Sequence, residues 1–208
     1  MSGRAPIRVL LVDDHPVVRS GLAAILQTAG ITVAAQAATG KEAIERYFEC
    51  APDVVLMDLK LPDLDGWTAI SAIRARDANA RVIAISSFSG DEDIHRALRS
   101  GAKGYLMKDA DAAEIVSAVR TVQEGLRYVP PAAAAALAAR MAYEPLSERE
   151  RGILKLIARG NNNREIGAAL GLSESTVKWH INSLLSKLGV DDRTAAVTVA
   201  RERGILHE

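Results

Sequence analysis

Over its first 125 residues the chain repeats one pattern five times: a short run of Val, Ile and Leu, then a longer amphipathic stretch. Runs this short and apolar suit strands buried on both faces, and the stretches between them are long enough for crossover helices. The pattern therefore confines the chain to a parallel sheet covered by helices on both sides. Strands are expected at 8–12, 31–37, 54–57, 82–85 and 104–107, and helices near 16–29, 41–50, 66–77, 92–100 and 112–125. Two of those helices open with cap-like pairs, Thr39 with Glu42 and Asp111 with Glu114.

Residues 128–143 break the rhythm with Pro130, Pro131 and an alanine-rich run, which reads as a partly helical linker. From Ser147 onward the pattern is helical throughout. A capping box of Ser147 and Glu150 begins an apolar series at Ile153, Leu154 and Ile157, and Asn162 with Glu165 can form a second box. A turn at Gly171 leads to a helix over 174–188, and a last helix is expected over 193–203. The fold class is thus α/β, a doubly wound five-stranded parallel sheet, followed by a small all-α domain of four helices. The expected limits are residues 1–127, a linker at 128–144, and 145–208.

With 208 residues, 49% hydrophobic and 25% charged, the chain can build two modest cores and is too apolar to be disordered. No apolar run approaches the 18 or so residues that a bilayer requires, and Cys50 is the only cysteine, which excludes an intrachain disulfide or a thiolate zinc cluster. These features lead us to expect a cytoplasmic protein with no membrane partner. Net charge is zero, yet residues 1–129 carry 15 basic and 17 acidic side chains while 130–208 carry 11 and 9. The contrast supports nucleic-acid binding by the second half only alongside stronger signals.

Polar residues of the first domain fall where a doubly wound sheet builds its site. Asp13 and Asp14 follow the first strand, Asp58 the third, Ser86 the fourth and Lys108 the fifth. All lie at strand carboxyl ends, which converge on one edge of an open parallel sheet. Any one aspartate is most simply a helix cap or a solvated charge; five such residues at four strand ends point to a pocket. Three crowded carboxylates require a proton or a cation, and hard oxygen ligands suit Mg2+. With a lysine ammonium and a hydroxyl beside them, the set describes a receptacle for a phosphoryl group in which one carboxylate attacks.

The stretches LLVDDHPVVRSGL, DVVLMDLKLPDLDGW, VIAISSF and GAKGYLMKDA, in this order and spacing, resemble a response-regulator receiver across residues 6–125. The resemblance implies Asp58 as phosphoacceptor. It implies Asp13, Asp14, Asp58 and the main-chain carbonyl of Lys60 as Mg2+ ligands, and Ser86 and Lys108 as phosphoryl-stabilising groups. Tyr105 matches the aromatic switch position that moves with Ser86; taken by itself, it reads as a half-buried strand aromatic. Pro62 and Gly66 are expected to shape the loop after Asp58, Trp67 to pack, and His15 to serve as a cap or loop residue.

In the helix over 174–188, Val177, Ile181, Leu184 and Leu188 share one narrow face, while Ser175, Lys178, Trp179, Asn182 and Ser186 lie opposite. With the preceding helix and its glycine turn, this forms a helix-turn-helix whose second member suits the major groove. On the stretch from Leu146 to Val197, residues 145–205 resemble the LuxR-type DNA-binding domain, and receiver plus this domain is the NarL/FixJ architecture. That match implies Lys178, Trp179 and Asn182 facing bases of double-stranded DNA, with Ser175, Thr176 and Lys187 on phosphates. His180 reads as structural. Gly167, where alanine is commoner, is expected to weaken its helix by up to about 1 kcal/mol.

The function implied is that of a two-component response regulator. A sensor histidine kinase would phosphorylate Asp58, and the modified chain would dimerise on DNA. Beyond its own aspartyl phosphorylation and dephosphorylation it would not be an enzyme. A magnesium phosphohydrolase would need a substrate cap that the sequence lacks, and a protein-only interaction module would leave the helical tail without a role.

Overall fold

The computed structural model describes residues 5–87, 90–141 and 143–206. The outer limits of the expected domains, residues 1 and 208, lie outside the described residues, as does Phe88 of the VIAISSF stretch. No helix among those described is long and apolar enough to cross a membrane. Among the described residues the chain forms two units, 5–87 with 94–134 and 90–93 with 135–206.

The first contains β1 (Arg8–Val12), α1 (Pro16–Thr28), β2 (Thr32–Ala37), α2 (Gly40–Cys50), β3 (Val54–Asp58), α3 (Gly66–Arg76), β4 (Val82–Ser86), α4 (Asp91–Arg99) from Ile94 onward, β5 (Gly104–Met107) and α5 (Ala112–Gln123). All strands pair in parallel in the order β2-β1-β3-β4-β5. The strand order reverses between β1 and β3. Every residue of β3 and β4 is buried, as expected of central strands covered on both faces.

Alternation along the strands divides the apolar side chains between two layers. Val9, Leu11, Val54, Leu56, Ile83, Ile85 and Leu106 pack with Leu22 and Leu26 of α1 and Ile115, Val119 and Val122 of α5. The intervening residues, Leu10, Val55, Met57 and Tyr105 among them, turn to the opposite face and are also fully buried. Thr39 accepts from the Glu42 N–H and Asp111 from the Glu114 N–H, so both expected caps form. Tyr128 continues the sheet beyond β5. Its carbonyl accepts from the Tyr105 N–H at 2.9 Å and its N–H donates to the Lys103 carbonyl at 3.0 Å, which satisfies the outer edge.

The alanine-rich run forms α6 (Pro131–Arg140), with proline at its first position and Ala133 as its buried residue. The second unit continues with α7 (Glu148–Ala158), α8 (Asn163–Leu170), α9 (Glu174–Leu188) and α10 (Arg193–Glu202). Both expected capping boxes form, Ser147 with Glu150 and Asn162 with Glu165. Ile153, Leu154, Ile166, Val177, Ile181, Leu184, Leu188, Ala196 and Ala200 make its core. Gly171 takes the left-handed backbone that ends α8 and sets the turn into α9.

At Gly167 a packing constraint stands beside the expected propensity cost. A Cβ there would lie 2.6 Å from the Leu172 carbonyl oxygen, in the turn that follows α8. The close backbone approach selects glycine against helix propensity.

Candidate functional site

The first site forms where the strand order reverses. Asp58 closes β3 and Asp13 directly follows its neighbour β1, so two carboxylates 45 positions apart in sequence meet at one edge. The hydrogen-bonded ladder runs one residue beyond the apolar runs of β3 and β4. Asp58 pairs in register with Ile85, and Ser86 with Met107. Their positions are thus fixed by the sheet itself rather than by loops.

Asp13 and Asp58 are only 1% and 2% exposed. The Lys108 ammonium lies between them, 2.7 Å from Oδ2 of each. Oδ1 of Asp58 accepts from the Lys60 N–H at 3.0 Å, and Oδ1 of Asp13 from the His15 N–H at 2.8 Å. Asp14 is partly exposed, and its Oδ1 lies 2.7 Å from His15 Nδ1. Apart from these ion pairs, Asp13 Oδ2 and Asp14 Oδ1 are buried and take no hydrogen bond.

Burial raises the Asp58 pKa above the usual carboxylate range, against the pull of Lys108 and the Lys60 N–H. For Lys108 burial works the other way, but the bonds to Asp13 and Asp58 outweigh it and its pKa is raised. One ammonium among three carboxylates leaves the pocket short of positive charge. Ligand atoms of Asp13, Asp14, His15 and Asp58 all lie within 4.8 Å of one another, close enough to share one cation. Hard oxygens dominate the set, and with three carboxylates to one ammonium it suits a divalent cation such as Mg2+.

Ser86 is buried at the end of β4, and its carbonyl accepts from the Lys108 N–H at 2.8 Å. Tyr105 is wholly buried on β5, not half-buried as a strand aromatic would be. Gly66 shapes the loop as expected: a Cβ at its position would overlap the Asp58 carbonyl oxygen. Trp67 is buried with the Arg96 guanidinium over its ring, in keeping with a packing role.

His15 lies in the loop after β1, one of its two expected places. It stands at the N-cap of α1 but its side chain caps nothing there and joins the carboxylates. Arg19, which sequence reasoning missed, sends its guanidinium to the Asp13 carbonyl. Its spacing of one helical turn from His15 was the available signal.

In the second unit, Lys178, Trp179, Asn182 and Ser175 stand exposed on α9 while Val177, Ile181, Leu184 and Leu188 are buried, the two faces the periodicity predicts. At the helix start, the Ser173 hydroxyl accepts from the Thr176 N–H and lies 2.8 Å from the hydroxyls of both Ser175 and Thr176. His180 packs edge-on to Trp179, ring centroids 4.9 Å apart.

Lys187, expected on a phosphate, is engaged elsewhere: its Nζ lies 3.0 Å from Glu144 and 3.0 Å from Glu150. The reason is Glu150, which sequence reasoning treated only as a cap. Its side chain is nearly buried and accepts from the Ser147 N–H and hydroxyl, from the Ser183 hydroxyl at 2.7 Å and from Lys187. Burial alone would raise its pKa, but these donors together lower it to about 2. One carboxylate therefore caps α7 and ties it to α9.

A profile of the response regulator receiver domain matches residues 9–120, and one of the bacterial regulatory proteins of the luxR family matches residues 144–200. The response regulator protein VraR of Staphylococcus epidermidis is 40% identical over 206 residues, spanning 96% of this chain and 99% of that one. VraR of Staphylococcus aureus matches at the same identity and coverage. Among solved structures, the response regulator ChrA of a heme-sensing two-component system is 40% identical with a TM-score of 0.58, covering 98% of this chain and 100% of that one. RcsB, solved as two dimers bound to two parallel DNAs, shares the fold at 23% identity and a TM-score of 0.71, covering 95% of this chain and 98% of its own.

Proposed function

Since the chain belongs to the response-regulator family, as a two-component regulator with a receiver and a LuxR-type DNA-binding domain, we propose that Asp58 is its phosphoacceptor and α9 its DNA-reading helix. The observation that carries the first part is the buried Asp58 carboxylate held 2.7 Å from the Lys108 ammonium beside Asp13.

In this reading an oxygen of Asp58 attacks the phosphorus of a phosphohistidine on a sensor kinase. The P–N bond breaks, its electron pair stays on the imidazole, and the acyl phosphate forms. Lys108 is positioned to offset charge on the transferred oxygens, and the Ser86 hydroxyl to bond one of them. Asp13, Asp14, Asp58 and the Lys60 main-chain carbonyl would hold Mg2+, which supplies further charge neutralisation when bound. Lys108 then has a new anion to choose in place of Asp13. That change of partner is what allows phosphorylation to favour one conformation, with Ser86 and Tyr105 as the moving parts.

The output is DNA binding by a cytoplasmic protein. Lys178 and Asn182 would meet base edges, and the hydroxyls of Ser175 and Thr176, at the positive end of α9, a phosphate. Dimerisation would place two such helices one DNA turn apart. Apart from its own phosphorylation and dephosphorylation the protein catalyses no turnover.

The deciding experiment treats the protein and Asp58→Asn with acetyl phosphate and Mg2+ and follows intact mass. Phosphoryl uptake by the wild type alone supports the proposal; equal uptake by both overturns it.

A further inference from the structure

The indole of Trp179 is 65% exposed on α9, although the core face of that helix is complete without it. A large aromatic held in water forgoes a hydrophobic gain that burial against a partner would restore. Its surroundings restrict the partner. Lys178 precedes it, and Asn182 follows at i+3 as its neighbour on the helix surface. Both are exposed, and both are side chains that bond base edges or phosphates. The His180 ring lies edge-on to the indole at an interplanar angle of 72°.

An aromatic carried into the major groove between two polar readers meets one kind of apolar surface there, the C5 methyl of thymine. We infer that Trp179 is a specificity-determining residue that covers a thymine methyl beside an adenine read by Asn182. Each half-site then contains a thymine whose methyl contributes to affinity. The inference rests on the DNA-reading role of α9 proposed above.

Deoxyuridine separates the two ideas, because it removes that one methyl and leaves all base-edge hydrogen bonds intact. A duplex is first selected from random DNA with the phosphorylated full-length protein, and each thymine is then replaced in turn. The expected result is a four- to tenfold loss of affinity at one thymine per half-site for the wild type, about the worth of one buried methyl. Trp179→Ala should bind the original duplex with the same weakened affinity and show no further loss with deoxyuridine. A wild type indifferent to every replacement, or a variant that keeps the same thymine dependence, overturns the inference while leaving DNA binding intact. Failure to retain any duplex overturns both.

Tryptophan quenching by acrylamide gives a second readout, since the other tryptophan, Trp67, is buried. Trp179 should be accessible in free protein at all concentrations and shielded by the duplex. Shielding without DNA as protein concentration rises would assign the indole to a second copy of the chain, against the inference.

Discussion

The Nζ of Lys108 donates to Oδ2 of Asp58 across 2.7 Å, joining residues fifty positions apart at the ends of β5 and β3. The same ammonium is equally close to Asp13, so one cation offsets two buried carboxylates. Its backbone N–H is anchored on the Ser86 carbonyl, so its backbone position follows that of the neighbouring strand.

Replacing Lys108 by Met keeps the length of the side chain and removes the charge. Asp13 and Asp58 would then face each other without it, and the Asp58 pKa would rise further. We expect a loss of stability of about 1–3 kcal/mol in urea unfolding at neutral pH. Phosphoryl uptake from acetyl phosphate should slow at least tenfold. A variant with wild-type stability and uptake would show that the ammonium has no part in either.

Glu150 makes the second unit sensitive to acid. Its carboxyl is held at about 2, below the ordinary 4.5, so its stabilising effect is complete above about pH 4.5 and fades as the pH falls toward 2. Glu150→Gln should lower stability by about 1–3 kcal/mol near neutral pH, because Lys187 and the two serines lose a charged acceptor. The difference between variant and wild type should shrink through that acid window. Denaturant unfolding at a series of pH values measures it; a constant difference would mean that Glu150 is not charged in the way described.

Gly167 offers a contest between propensity and packing. Alanine in mid-helix should gain up to about 1 kcal/mol on propensity alone. The Leu172 carbonyl leaves no room for the added Cβ, so we expect Gly167→Ala to destabilise the helical unit by about 1–3 kcal/mol instead. Thermal unfolding of the variant decides the sign.

Much of this was legible along the chain. Strand–helix alternation, both capping boxes and the apolar face of α9 are local or periodic properties, and they appear where periodicity places them. The candidate residues of the first site were also legible, because sheet geometry sends strand carboxyl ends to one edge. Less legible were contacts that join separate elements. Nothing local distinguishes Lys187 as a partner of Glu150 from Lys187 as a surface charge, since the choice depends on how α7 lies against α9. His15 was read as a cap or loop residue, and its ring turns to carboxylates that the folded loop brings near.

The amino-acid order by itself determined which segments became strands and helices and which faces became core. Hydrophobic periodicity and capping act within a few residues, and the order of residues contains them in full. The tertiary structure alone decided that Lys108 stands between two acids, that Tyr105 is wholly enclosed, that Glu150 binds two helices together and that Gly167 admits no side chain. Each of these depends on separations of a few ångströms between groups remote along the chain, and such separations are settled only when whole elements pack.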